Sequence, residues 1–232
     1  GYVGGTSQYF GLQSSLQKRF SGGATFTLSH TWAKLMDRVN FQNPQDTELE
    51  KQVADGDVTH NIGINGSYEL PFGRGHKLLS SDNAVSNAIF GGWVVNGLVR
   101  LQSGMPTNFP ANAEPVGGVD PIPSNQNIDQ WYTPGSFRGL AALTLRRFSL
   151  RYGHLRNPPI RNFDLSAFKT FSITEQVNLQ FRAELINAMN TPQWFNGPVT
   201  NPASGNFGKI AGGATSQSNL PRFVQLALKL TF

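Results

Sequence analysis

The chain has 232 residues, of which 38% are hydrophobic and only 14% are charged, whereas about a quarter of the residues in typical soluble domains are charged. It has no cysteine, which excludes disulfides and thiolate metal sites, and no apolar run of about 18 residues, which excludes a transmembrane helix. The formal net charge is +5, but the basic residues are scattered and follow no nucleic-acid-binding motif, so we expect no nucleic acid partner.

Seven segments alternate apolar and polar residues with a period of two, which is the pattern of a strand with one apolar face. Most are about 9–12 residues long, the length at which a tilted strand crosses a bilayer, whereas globular strands average about five or six. The opposite faces carry Asn, Gln, Arg and Glu, which would line a wet lumen in a barrel or face solvent in a sandwich. In chain order the segments are 9–20, 24–32, 61–70, 93–102, 162–170, 177–186 and 222–232.

The links between these segments alternate between short and long. Residues 21–23 and 172–176 form short links, whereas the links after the second, fourth and sixth segments are much longer, and only the link that begins PFGRG departs from the short class. Outer-membrane barrels show this asymmetry, with short periplasmic turns and long extracellular loops. The long links are rich in Pro, Gly and Asn and hold few apolar residues, so we expect exposed binding loops without a core of their own.

Few residues form a motif with a chemical meaning. Asp55 and Asp57 could bind Ca²⁺ through carboxylate oxygens, although a solvated loop explains them more simply. There is no nucleophile elbow, no paired-carboxylate motif and no phosphate loop, so we expect neither catalysis nor a cofactor. Four histidines share no metal-ligand spacing, so we expect no metal site from them: His30, His60, His76 and His154.

Aromatic residues lie where the predicted strands end. Trp and Tyr favour the headgroup depth of a bilayer because the ring is apolar and its polar edge stays wet. Trp32, Tyr68 and Trp93 therefore predict an aromatic girdle, with ordinary strand packing as the alternative. The last segment, RFVQLALKLTF, carries an apolar stripe that consists of Val224, Leu226, Leu228, Leu230 and Phe232.

Short stretches that occur in order along nearly the whole chain resemble one family. They are LQ and KRFS (12–21), SHTWAK (29–34), YELPFGRG (68–75), GGWVVNG (91–97), QSGMP (102–106), DLSAFKTF (164–171), FRAELINAMN (181–190) and the terminal strand. Together they resemble the C-terminal barrel portion of TonB-dependent outer-membrane transporters of the Oar-like branch, whose members tend to carry a carboxypeptidase-regulatory-like domain.

This resemblance implies a fold and a cellular localisation. We expect an all-β chain whose residues 1–232 form an antiparallel transmembrane β-barrel segment of about seven strands, the last third of a barrel of about 22 strands in the bacterial outer membrane. The start, GYVGGTSQYF, has no signal-peptide features and no initiator Met, and the chain has no TonB box or plug domain, so we expect a piece of a longer polypeptide.

The resemblance also implies a function and partners. The extracellular loops would bind a substrate, and the plug domain and an inner-membrane energy-transducing complex would drive its uptake; siderophores, oligosaccharides and peptides all stay open. Outer-membrane lipid would surround the apolar faces, and the barrel-assembly machinery would read the stripe that ends at Phe232. Arg100, Gln180, Arg182 and Glu184 are candidate lumen or plug contacts.

The alternative belongs to a different class of protein. The same strands suit a secreted structural or adhesive all-β protein, or a barrel-derived fragment assembled into a fibre. A barrel segment would partition with membranes, whereas a sandwich or fibre would not need detergent.

Overall fold

The computed structural model describes residues 4–73, 78 and 84–232 and is built on one large antiparallel sheet. Twelve strands occur in this part of the chain, with a short helix α1 (Ala84–Phe90) and a 3₁₀ turn (Gly213–Ser216). The strands are β1 (Thr6–Ser21), β2 (Ala24–Arg38), β3 (Gln52–Val53), β4 (His60–Glu69), β5 (Trp93–Gln102), β6 (Pro106–Asn108), β7 (Ala113–Pro115), β8 (Phe137–Gly139), β9 (Arg151–Arg156), β10 (Ile160–Ser172), β11 (Asn178–Ile186) and β12 (Phe223–Thr231).

The seven long strands occupy the seven predicted segments and follow one another in the sheet. Their order is β1-β2-β4-β5-β10-β11-β12, and each is antiparallel to its neighbour. The all-β prediction is therefore confirmed. β2 runs past the predicted end because, beyond Trp32, it no longer pairs with β4 but keeps its pairing with β1 as far as Arg38.

The register joins the separate apolar stripes into one surface. Paired residues of neighbouring strands point to the same side of a sheet. One row runs through Leu16, Leu28, Ile64, Val99 and Phe163 in direct register. We call this side the apolar face; it holds the even-numbered residues of β1, β2, β4 and β12 and the odd-numbered residues of β5, β10 and β11. The other side is the polar face.

The connections divide between the two ends of the sheet. Residues 22–23, the described parts of 70–92 and residues 173–177 lie at one end, the short-turn end. Residues 39–59, 103–159 and 187–222 lie at the other, the long-loop end. The link 70–92 is longer than a turn because it contains α1, which the sequence pattern did not predict. None of the helices in the described ranges is long and apolar enough to span a membrane.

Helix α1 lies against the apolar face. The indole Nε1 of Trp93 donates to the carbonyl of Ile89 at 2.8 Å, and Nζ of Lys169 donates to the carbonyl of Asn87 at 3.2 Å. Lys169 is only 4% exposed, and its ammonium lies 5.1 Å from the ring centroid of Phe171. The helix thus supplies a polar partner for the one lysine that β10 places in the middle of aromatic side chains on this face.

The buried core lies in the long connections, where we expected none, so that prediction was wrong. β6 pairs with β9 and β7 pairs with β8, and the amides of Trp131 and Tyr132 both donate to the carbonyl of Gly208, which joins 103–159 to 187–222. We call the three long connections, residues 39–59, 103–159 and 187–222, the loop cap. Its core consists of Phe109, Ala113, Tyr132, Phe137, Leu155 and Phe207.

Candidate functional site

A buried carboxylate fastens the loop cap to the sheet. The side chain of Asp57 is 0% exposed, and its Oδ2 accepts hydrogen bonds from Nη2 of Arg156 at 2.5 Å and from Nζ of Lys34 at 3.3 Å. Its Oδ1 accepts from the amide of Leu35 at 2.6 Å. Arg156 also donates to the carbonyls of Asp57 and Gly104. One guanidinium therefore joins β9, residue 57 and the start of the 103–159 connection.

These partners keep Asp57 ionised. Burial by itself would raise the pKa of this carboxyl, but the hydrogen bonds from Arg156 and Leu35 and the charge of Lys34 outweigh it and hold the pKa below its usual value. Oδ1 of Asp55 accepts a hydrogen bond from the side-chain Nδ2 of Asn108 at 2.7 Å. The described residues contain no group of three His, Asp or Glu side chains suited to a metal ion. The solvated-loop interpretation fits the exposed Asp55, but for Asp57 it was wrong, because that side chain is buried and its carboxylate is paired with Arg156 and Lys34.

Two further ion pairs fasten 103–159, one to the end of β2 and one to the 39–59 connection. Arg151 contacts Asp37 at 3.1 Å, and Arg146 contacts Glu50 at 2.9 Å, with no side chain more than 13% exposed. Burial raises the pKa of nearby Tyr152 to about 12, with Arg146 lowering it and Glu50 raising it, so its hydroxyl stays neutral. The cap is therefore held by buried charge pairs as well as by its aromatic core.

A hydrogen-bonded chain orients Asn157 at the base of the cap. Oγ1 of Thr107 donates to Oδ1 of Asn157 at 2.8 Å, and the hydroxyl of Tyr132 lies 2.6 Å from the same Oγ1. Because Thr107 gives its proton to Asn157, Tyr132 is the donor in the second contact. Burial raises the pKa of Tyr132, which keeps that proton in place.

Two cavities open on the polar face at the long-loop end. The first, of about 160 Å³, lies among residues 102–105, 157–160 and 194–197. The second, of about 300 Å³, lies between the ends of β1, β2 and β4 and residues 56–58. Gln102 lines both, and in the sheet register it pairs with Asn61 on one side and Ile160 on the other. The cavities are therefore neighbours, placed where the polar face meets the loop cap.

The predicted lumen residues all lie on the polar face. Nη1 of Arg182 is 3.5 Å from Oε1 of Glu184, and its Nη2 is 3.4 Å from Oε1 of Gln180, so these three side chains of β11 form one cluster. Arg100 lies on β5, away from that cluster, and donates to Oε1 of Gln102 at 2.9 Å. It thus contacts the residue shared by the two cavities.

The predicted girdle and stripe residues lie on the apolar face. Trp32 is 57% exposed at the long-loop end, where its ring stacks on His60, while Tyr68 and Trp93 lie near the short-turn end. A girdle requires aromatic side chains at both ends of such a face. The stripe of β12 is exposed along its whole length, and Phe232 follows the strand; its other members are Val224, Leu226, Leu228 and Leu230.

Sequence reasoning missed the residues that fasten the cap. Asp57 and Arg156 lie 99 positions apart in segments without periodicity, and no local signal connects them. Asn187 could have been found from the sequence, because it lies in the FRAELINAMN stretch. Its side chain bonds to Thr191 and to the carbonyl of Leu220, which closes the base of the 187–222 connection, and its φ of 51° is a conformation that asparagine tolerates better than most residues.

Comparison with known proteins agrees with this architecture. A family model described as an outer membrane beta barrel domain matches residues 2–225. No curated protein and no solved structure gives a match. The family match places the chain in the bacterial outer membrane and does not support the secreted alternative. With nearly its whole length covered by the match, the chain belongs to the outer membrane beta barrel domain family.

Proposed function

We propose that the chain is part of a TonB-dependent transporter that captures a substrate at the loop cap and takes it up with energy from an inner-membrane complex. The observation that carries this proposal is the asymmetry of the sheet. All three long connections lie at one end, where they fold into a cap with its own aromatic core, and two cavities open beneath it on the polar face.

The composition of the two faces supports transport across a membrane. The apolar face suits lipid, and the polar face carries hydrogen-bonded side chains along its strands, such as Asn96 with Ser166 and Asn162 with Asp164. In a barrel these groups line the lumen. The cluster of Gln180, Arg182 and Glu184 would then contact a plug domain, and β12 would be recognised by the barrel-assembly machinery through strand addition.

The TonB-dependent branch is supported by the ordered stretches of the sequence. Three of them have structural roles at the cap: Gly104 of QSGMP packs against the carbonyl of Asn157, Lys34 of SHTWAK pairs with Asp57, and Asn187 of FRAELINAMN closes a loop. We propose no catalytic role.

Uptake by cells tests the proposal. Cells with and without the full-length protein are given a labelled neutral oligosaccharide, a ferric hydroxamate siderophore and a hydrophilic peptide, each too large for porins. We expect at least one compound to accumulate only when the protein is present, and a protonophore or deletion of the energy-transducing complex to abolish this accumulation. Accumulation that persists without energy would indicate a passive pore, and equal accumulation with and without the protein would also refute the proposal.

A further inference from the structure

We propose that the two cavities beneath the loop cap are adjacent subsites for a neutral oligosaccharide. This inference rests on the proposed uptake function and selects one of the substrate classes that the sequence leaves open. The first cavity lies over β5 and β10, the fourth and fifth of the seven long strands. It is therefore formed within the sheet and not at an open edge, and this chain supplies its walls.

The walls of the cavities carry almost no net charge. No charged side chain lines the first cavity in the described part of the chain. The second cavity includes Asp57, whose carboxylate is already paired with Arg156 and Lys34. An anionic siderophore or an acidic peptide requires cationic donors, and a basic peptide requires carboxylates. Neither is offered here, so the electrostatics favour an uncharged ligand.

The polar groups of the first cavity match hydroxyl groups. Oε1 of Gln102 accepts from Arg100, Oδ1 of Asn157 accepts from Thr107, and Nδ2 of Asn196 donates to the carbonyl of Ala211. Within the described residues, the other end of each amide has no hydrogen-bond partner. Two N–H donors and one carbonyl acceptor are thus held in fixed orientation. A hydroxyl both donates and accepts, so a polyol can satisfy all three.

Aromatic side chains complete the wall of the first cavity. Trp194 and Phe195 line the cavity beside Met105, and Phe195 is 66% exposed. One face of a sugar ring presents C–H groups that carry a small positive charge, and such a face packs on the negative face of an aromatic ring. Amides beside an aromatic surface form the combination that a sugar ring requires.

The sizes of the cavities indicate a chain of sugars rather than one ring. The volumes of about 160 and 300 Å³ lie at or below the lower limit of pockets for drug-sized ligands, so each suits about one or two rings. Gln102 lines both cavities, and the second adds Tyr9, Gln13 and Asn61 on the polar face. A ligand that spans Gln102 would occupy both subsites.

Binding to a glycan array tests the ligand class. The probe is the purified full-length protein in detergent, applied to neutral and acidic oligosaccharides, with an anionic ferric catecholate siderophore measured separately by calorimetry. We expect binding to neutral oligosaccharides only. Binding to acidic glycans or to the siderophore alone, or to no glycan at all, would overturn the inference.

Matched variants locate the site. Phe195→Ala should lower the affinity for the best neutral glycan about tenfold, because a stacking surface is lost, and Gln13→Ala in the second cavity should lower it about threefold. The control is Phe20→Ala, since Phe20 is 69% exposed and lies at the short-turn end, far along the strands from both cavities. Equal effects of Phe195→Ala and Phe20→Ala would place the sugar elsewhere.

The two proposals fail separately. If neutral glycans do not bind but a siderophore or peptide shows energised uptake, the subsite assignment is wrong and the transport function stands. If a neutral glycan binds and Phe195→Ala weakens it, but no uptake depends on energy, the subsites stand and the transport function is wrong.

Discussion

Replacing Arg156 with leucine should release the loop cap while leaving the long strands paired. The substitution removes the guanidinium that bonds to the carboxylate of Asp57 and to the carbonyls of Asp57 and Gly104. Asp57 would remain buried with Lys34 as its remaining charged partner at 3.3 Å. Breaking a buried pair on one side costs about 3–5 kcal/mol. We expect the lower end, about 3 kcal/mol, because Lys34 is retained; this corresponds to roughly a hundredfold rise in the open population of the cap.

Hydrogen exchange on the full-length protein in detergent measures this opening. Amides of the cap and the amide of Leu35, which bonds to Asp57, should exchange roughly a hundredfold faster, and amides of β10 and β11 should not change. The matched control is Arg138→Leu, which breaks a 2.8 Å pair with Glu114 whose arginine is 68% exposed. Such surface pairs are worth about 1 kcal/mol or less, so the control should change exchange less than about fivefold. Equal effects of the two variants would refute the assignment of Asp57 and Arg156 as the fastening.

The remaining predictions concern pH, packing, assembly and sidedness. Because the pKa of Asp57 in the folded protein lies below its ordinary value of 3.8, its contribution to stability is complete above that pH and is lost as the pH falls further. Cap exchange should therefore accelerate only below about pH 4, and acceleration already near pH 6 would implicate another group. Gly104→Ala should loosen the cap because a Cβ there clashes with the carbonyl oxygen of Asn157, whereas Gly117→Ala, where an added Cβ meets nothing within 4 Å, should change nothing in the same exchange assay. Removing Phe232 from the full-length protein should reduce the amount inserted in the outer membrane, measured by membrane fractionation with synthesis as the control; normal insertion would show that β12 is only a strand. Protease added to intact cells should cut within 108–132 and 193–218 and spare 71–87, of which 74–77 and 79–83 lie outside the described residues; the reverse pattern would invert the topology.

The sequence predicted the sheet well because successive side chains of a strand point to opposite faces, so every second residue shares one environment. β11 alternates Leu179, Phe181, Ala183 and Leu185 with polar neighbours, and the register then sets these residues beside the even-numbered residues of β12. A slip by one residue would turn every apolar side chain to the polar face, so the pattern and the pairing constrain each other.

The loop cap could not be predicted from the alternation of apolar and polar residues. Its core is built from a few large side chains, such as Phe109 and Phe137 with ring centroids 4.2 Å apart, which are separated in sequence by Pro-, Gly- and Asn-rich segments. Three of its ion pairs join residues about a hundred positions apart, and the first cavity arises where the 103–159 and 187–222 connections meet. Alternation placed the candidate lumen residues together on the polar face, but it could not show that Arg100 contacts Gln102 beside the cavities.

In a barrel, the apolar face of this sheet meets lipid and the polar face meets a water-filled lumen. Single cysteines in the full-length protein, labelled in intact cells with a water-soluble maleimide, distinguish the two faces. The chain has no cysteine of its own to interfere within this segment, and neighbours such as Val95 and Asn96 report opposite faces at the same depth. We predict labelling at Asn65, Asn96, Gln180 and Gln225, and none at Leu28, Ile64, Val95, Leu179 and Leu226. Labelling of the second set with protection of the first would show that the polar face, and not the apolar face, meets lipid.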